Sequence, residues 1–231
     1  MVHVAGARDI DIQKNVLEEF EYSPEIEPNE IGVEVDRGVV TLTGTVTSYA
    51  KKLAAAKSAQ RVFGVRAVAN DLEVRPFQSH KFTDTDIARA VANAIEWSAL
   101  VPEERIQVTV EGGMVTLRGS VDFNFQRTEA ERQVLQLAGV KGLHNDISIT
   151  PPVAATPEEI RTTITRALRR HAEIDQTAVG VEVRGHTVVL TGELPSDADR
   201  DEAERIAWGP GVHKVENRIT IERGIDPATT T

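Results

Sequence analysis

The chain has 231 residues, 40% hydrophobic and 27% charged, with 26 basic and 36 acidic side chains for a formal net charge of −10. It has no cysteine, which excludes disulfides, thiolate-ligated metal and thiol nucleophiles, and its acidic balance argues against broad electrostatic adhesion to nucleic acid or anionic membranes, leaving only a local basic patch for such contacts. Two Trp, two Tyr and six Phe leave Val, Ile, Leu and Ala to build the core.

The opening segment, "MVHVAGARDIDIQKN", lacks a basic stretch followed by an apolar run. No window approaches the roughly 18 apolar residues of a membrane span, so the expectation is a cytoplasmic protein, or a periplasmic one if a leader has been removed. Ile12, Val16 and Phe20 recur at helical spacing and predict a first helix. Ile31, Val33 and Val35 alternate as a strand, and a short turn at "DRG" leads into "GVVTLTGTV", a second strand with Gly44 inside it. "SYAKKLAAAKSAQRVFG" reads as a second helix with Tyr49, Leu53 and Ala56 inward, and "NDLEV" as a third strand.

The same order returns twice. Gly44, Gly119 and Gly192 lie 75 and 73 residues apart, and Gly64, Gly139 and Gly211 follow, each six residues ahead of Asn70, Asn145 and Asn217. The helical trios Ile87, Val91, Ile95 and Ile160, Ile164, Leu168 keep the register. "TDTD" before the second trio and Pro157-Glu158-Glu159 before the third are helix-start signals. The expected organisation is α+β, three tandem αββαβ modules at residues 8–75, 82–150 and 157–224, each with two helices on one face of its sheet. "RPFQSHKF" and "TPPVAATP" read as linkers, and the two chain ends as frayed.

In each second strand the glycine shares the apolar face: Val40, Leu42, Gly44 and Val46 in the first unit. Its missing side chain would let a helix backbone approach the sheet or permit a bulge. The opposite face, with Thr41, Thr43 and Thr45, is expected to meet solvent or a partner.

The registered combination of helix, "I-x-V-x-V-x-x-G-x-V-x-L-x-G", Ala-rich helix, "G-V" and "V-x-N-x-I" resembles the BON domain, a small module of bacterial osmotic-stress and outer-membrane proteins. The resemblance covers about nine tenths of the chain. It implies an αββαβ sandwich with a three-stranded mixed sheet, no enzymatic activity, and a role in binding phospholipid or stabilising membranes under stress; no cofactor is expected.

Local strings for chemistry are sparse. Asp197, Asp199 and Asp201 begin like a calcium loop, but Glu202 and Trp208 stand where that loop needs glycine and a carboxylate, so helix capping explains them. The six histidines never fall four apart on one helix, and neither a phosphate-binding loop nor a triad is recognisable, so no catalytic residue and no metal site are expected. The repeated asparagines read as amides satisfying backbone groups, with a ligand-contacting amide as the sharper alternative.

Charge is unevenly placed. Between Asp9 and Asp36 stand ten acidic residues and only Lys14, whereas Lys51, Lys52, Lys57 and Arg61 make the second helix of unit one basic. Those four, with Trp97 at the end of a helix, are the candidate contacts for an anionic lipid surface. The alternatives are a soluble protein-protein scaffold, with homo-oligomers formed by complementary charge, and a small-cation sensor.

Overall fold

The computed structural model describes residues 8–75, 82–152, 155–170 and 178–221; apart from Arg8 the expected frayed ends lie outside them, as do most of the first linker and residues 153–154 of the second. In the first repeat, helix α1 (Asp9–Tyr22) precedes the hairpin β1 (Ile31–Asp36) and β2 (Val39–Val46). Helix α2 (Tyr49–Arg61) follows, then β3 (Ala67–Asn70) and β4 (Glu73–Val74), which together form the expected third strand. The second repeat comprises α3 (Asp84–Glu96), β5 (Ile106–Glu111), β6 (Met114–Val121), α4 (Asn124–Leu135) and β7 (Gly142–Ile149). The third comprises α5 (Pro157–Leu168), β8 (Val179–Arg184), β9 (Thr187–Leu194), α6 (Asp197–Ala207) and β10 (Lys214–Ile221). Contacts divide the chain into two compact units, each taking one outer repeat with part of the middle one.

The second strand is central in every sheet, with orders β1-β2-β3, β5-β6-β7 and β8-β9-β10. In the outer repeats the hairpin partner runs antiparallel to it and the last strand parallel, so each sheet is mixed. A parallel return needs a crossover, which the second helix supplies. The first helix and the second bury their apolar stripes in one cluster with the second strand's apolar face. In the first repeat Ile12, Val16 and Phe20 of α1 meet Val40, Leu42 and Val46 of β2 and Ala55 and Ala59 of α2. Both helices therefore lie on one face of the sheet. Thr43 on the other face is exposed and Thr41 half-buried.

Helix starts follow their sequence signals. Thr83 and Asp86 form a reciprocal capping box on α3, and Thr156 and Glu159 form one on α5, with Pro157 opening that helix. Ser48 and Ser196 cap α2 and α6. In the middle repeat Phe123 stands at the cap position, and the Gln126 side-chain oxygen accepts from the backbone N–H groups of Asp122 and Phe123 instead, at 2.9 and 3.0 Å.

The inward face of α2 differs from expectation. Ala55, Ser58 and Ala59 are buried, while Tyr49, Leu53 and Ala56 are half-buried. Small side chains at i and i+4 let the helix axis come close to β2, and the larger Leu53 and Tyr49 are left on the shoulders.

The central glycine has a different neighbour from the helix the strand pattern suggested. A Cβ on Gly44, Gly119 or Gly192 would sit 2.1, 2.0 or 1.8 Å from the carbonyl oxygen of Glu30, Arg105 or Ala178. Those residues belong to the chain entering the first strand of each sheet, so the close approach is strand-side. The same glycines hold φ of +120°, +142° and +131°, a region side chains avoid.

The hairpin turns explain a further shared feature. Arg37-Gly38 and Gly112-Gly113 have positive φ at both positions, as a type I′ turn requires. The first helical residue holds each turn: Asp9 accepts from the N–H of Arg37 and Gly38, and Asp84 from Gly112 and Gly113, all at 2.8–2.9 Å. Pro157 occupies that place in the third repeat, and there Gly185 alone of the turn pair has positive φ, as in a type II′ turn.

Candidate functional site

Every buried side-chain N or O atom among the described residues has a hydrogen-bond partner. The same residues hold no group of three or more His, Asp or Glu placed to bind a metal ion, and no helix long and apolar enough to cross a membrane. Asp197 and Asp199 sit in the first turn of α6, where the Ser196 hydroxyl bonds Asp199 and Arg200 pairs with Asp197 at 2.7 Å. Among the described residues the interior offers no polar atom aimed at a ligand, so any binding group lies on the surface.

On α2 the four candidate cations are not equivalent. Lys51 Nζ donates to Glu27 Oε1 at 2.6 Å and Lys52 Nζ to the Leu72 carbonyl at 2.7 Å, so both stay with their own repeat. Lys57 and Arg61 are exposed in the last two turns. Sequence proximity put four positive charges on one helix; folding leaves two of them facing solvent. Trp97 caps the C-terminus of α3 with 83% of its surface exposed, and Tyr22, its counterpart in the first repeat, is 88% exposed. Trp208 is instead half-buried against the third core.

The fingerprint asparagines bind the protein to itself. Asn70 Nδ2 donates to the Lys52 carbonyl at 2.9 Å, and Asn217 Nδ2 to the Arg200 carbonyl at 3.2 Å, tying the edge strand to the second helix. Their Oδ1 atoms accept from the N–H two residues on, Leu72 at 3.4 Å and Ile219 at 3.1 Å. Asn145 Nδ2 donates to Glu131 Oε2 at 3.2 Å, and Asn217 makes the equivalent bond to Glu204 at 3.1 Å. An amide suits this place because it donates one way and accepts the other. Gly64, Gly139 and Gly211, with φ of +89°, +90° and +83°, turn the chain out of the second helix toward that strand.

A better surface lies on α5. Arg161, Thr162, Thr165, Arg166 and Arg169 line a shallow cavity of about 290 Å³ along its outer side. Residues four apart on a helix share a face, which aligns Arg161, Thr165 and Arg169 and sets Thr162 beside Arg166. Ile160, Ile164 and Leu168 anchor the opposite stripe in the core. Arg161 donates to both carboxylate oxygens of Glu158, at 2.8 and 3.2 Å, and that bond lowers the Glu158 pKa and raises that of Arg161. Arg166, Arg169 and Arg170 are exposed and have no ion pair among the described residues. They sit at the helix C-terminus, whose dipole favours positive charge. The string "RTTITRALRR" carries this signal, although its arginines are interspersed with threonines and apolar residues and form no unbroken basic run longer than Arg169-Arg170.

The chain is similar to known proteins in sequence. The family model described as BON domain matches residues 8–76, 83–151 and 156–223. Osmotically-inducible protein Y of Escherichia coli (strain K12) is 32% identical over 126 residues, which is 53% of this chain and 63% of that protein, under two thirds of its length. Two structures of CdsD, a structural protein of the type III secretion system of Chlamydia trachomatis, align at 15% and 14% identity over 91% and 93% of this chain and 92% and 98% of theirs. Their TM-scores are 0.25 and 0.24, and a superposition at that level carries no argument.

Proposed function

We propose a binding role, without catalysis, for this chain, which belongs to the BON domain family in three tandem copies. Its ligand is an anionic surface, with anionic phospholipid as the first choice, and the name of the osmotically inducible relative supports a setting in osmotic stress. The observation that carries the reading is the cluster of exposed arginines at the C-terminal end of α5, Arg166, Arg169 and Arg170, the first two lining a shallow cavity with the hydroxyl-bearing Thr162 and Thr165. Guanidinium groups pair bidentately with phosphate, and the hydroxyls donate to its remaining oxygens. Lys57 and Arg61 of α2 add a second, weaker contact, and two contacts on one chain raise avidity.

Co-sedimentation with vesicles of phosphatidylglycerol and phosphatidylcholine tests this. Binding should require the anionic lipid, fall with salt and be lost in R166E/R169E/R170E, while K57E/R61E weakens it. Undiminished binding by the α5 variant would refute the assignment. A second reading, self-association, is favoured by the acidic exposed side of α1, where Glu18 and Glu21 face solvent beside Leu17 and Tyr22. Mass photometry in the same buffer separates the two, since salt-sensitive dimers without vesicle binding favour self-association.

A further inference from the structure

We infer that the third repeat carries a proton-sensitive latch: the stacked imidazoles of His186 and His213 hold the β8–β9 turn against the start of β10 when neutral and release it when both are protonated. The rings lie 4.4 Å apart between centroids and 14° from parallel. His186 Nδ1 is 3.1 Å from the Gly211 carbonyl; a carbonyl only accepts, so Nδ1 carries the proton and Nε2 is left as the basic nitrogen. Beneath the rings the His213 N–H donates to the His186 carbonyl at 3.0 Å.

The other repeats make the same backbone bond with different side chains. Arg66 N–H donates to the Gly38 carbonyl at 2.8 Å, and Lys141 N–H to the Gly113 carbonyl at 2.9 Å. There the stems of Arg66 and Lys141 pack over a glycine, about 3.1 Å from where its Cβ would be. One permanently charged side chain over glycine does not change with pH in the neutral range. Two imidazoles face to face do, since His titrates there and a second positive charge repels the first at this spacing.

The third repeat also lacks the clamp that holds the other turns: Asp9 and Asp84 bridge theirs, and Pro157 stands in that place. The histidine pair is the third turn's replacement fastening. The charged groups that flank the pair along the chain, and those at the start of α5, are engaged elsewhere. Arg184 of the turn is paired with Glu182, Lys214 and Arg218 of β10 with Glu216, and Glu158 and Glu159 of α5 with Arg161 and Thr156.

Desolvation first, and then the charge of His186, lower the His213 pKa from its ordinary 6.5. A base whose folded pKa is lowered takes up its proton more readily in the unfolded chain. Stability is therefore full above 6.5 and declines as pH falls through that value toward the folded pKa.

The experiment is an imidazole NMR titration of the full chain from pH ~8 to ~5, reading amide exchange at His213, Arg66 and Lys141 in parallel and correcting for intrinsic rates. The His213 imidazole should titrate below its ordinary 6.5, with protection of the His213 amide falling about tenfold or more as it does so while Arg66 and Lys141 keep theirs. An H186G/H213R chain, which transplants the pair of the first repeat, should lose this pH dependence. Protection at His213 that tracks Arg66 and Lys141 at every pH would overturn the latch, as would a loss at low pH that persists in H186G/H213R.

Discussion

Replacing Gly119 by alanine tests the strongest geometric statement in the fold. The added Cβ would lie 2.0 Å from the Arg105 carbonyl oxygen, 3.1 Å from its carbon and 3.2 Å from the Ile106 Cα, all backbone atoms that cannot rotate away. A φ of +142° costs a side-chain-bearing residue about 1–3 kcal/mol. Relieving the overlap means moving the entry to β5 by about an ångström, with the loss of roughly one hydrogen bond, about 1 kcal/mol. Together these predict about 2–4 kcal/mol. Gly112→Ala is the control from the same repeat: its φ is +59° with nothing within 4 Å of the new Cβ, leaving a left-handed cost of about 1 kcal/mol. Thermal unfolding followed by circular dichroism should show G119A melting about 10 °C or more below the wild type and G112A about half as far. Equal midpoints for the two variants would mean that the carbonyl does not exclude a side chain at Gly119.

Asn217→Ala should cost about 1–2 kcal/mol in urea unfolding, because it leaves the Arg200 carbonyl and the Ile219 N–H without the amide that serves both. Amide exchange at Ile219 should quicken with it, and an unchanged rate would show that the amide is dispensable. The capping boxes predict an acid limb. Bonds from the Thr83 side chain and backbone lower the Asp86 pKa below 3.8, and bonds from the Thr156 backbone and side chain lower that of Glu159 below 4.5. The stability these carboxylates contribute is present above those values and lost as pH falls through the folded ones. A D86N/E159Q chain should be less stable at neutral pH and converge with the wild type in acid. Curves that stay parallel would refute the assignment.

The module itself was legible because its signals are local. Three registered copies of a helical trio and an alternating strand specify which residues face the core without any knowledge of what they touch: Ile12, Val16, Phe20 and Ile160, Ile164, Leu168 are all buried. Caps were legible for the same reason, since Thr83 and Asp86 are three residues apart. The inward face of α2 was harder. Its alanines and lysines give almost no apolar contrast, so Ala55 and Ala59 became the buried pair only through closeness to β2.

The repeat, the order of its elements and the apolar stripe of each first helix follow from residue spacing alone, because backbone periodicity ties them to distance along the chain. The tertiary structure alone decided which charges are free and which groups meet. Lys51 is held by Glu27 across 24 residues, Asn217 by Arg200 across 17, and His186 and His213 meet across the α6 crossover. Gly44 has the same dependence: its alternation along β2 is visible in the string, but the carbonyl that forbids a side chain there belongs to Glu30, brought alongside by the pairing of β1 with β2.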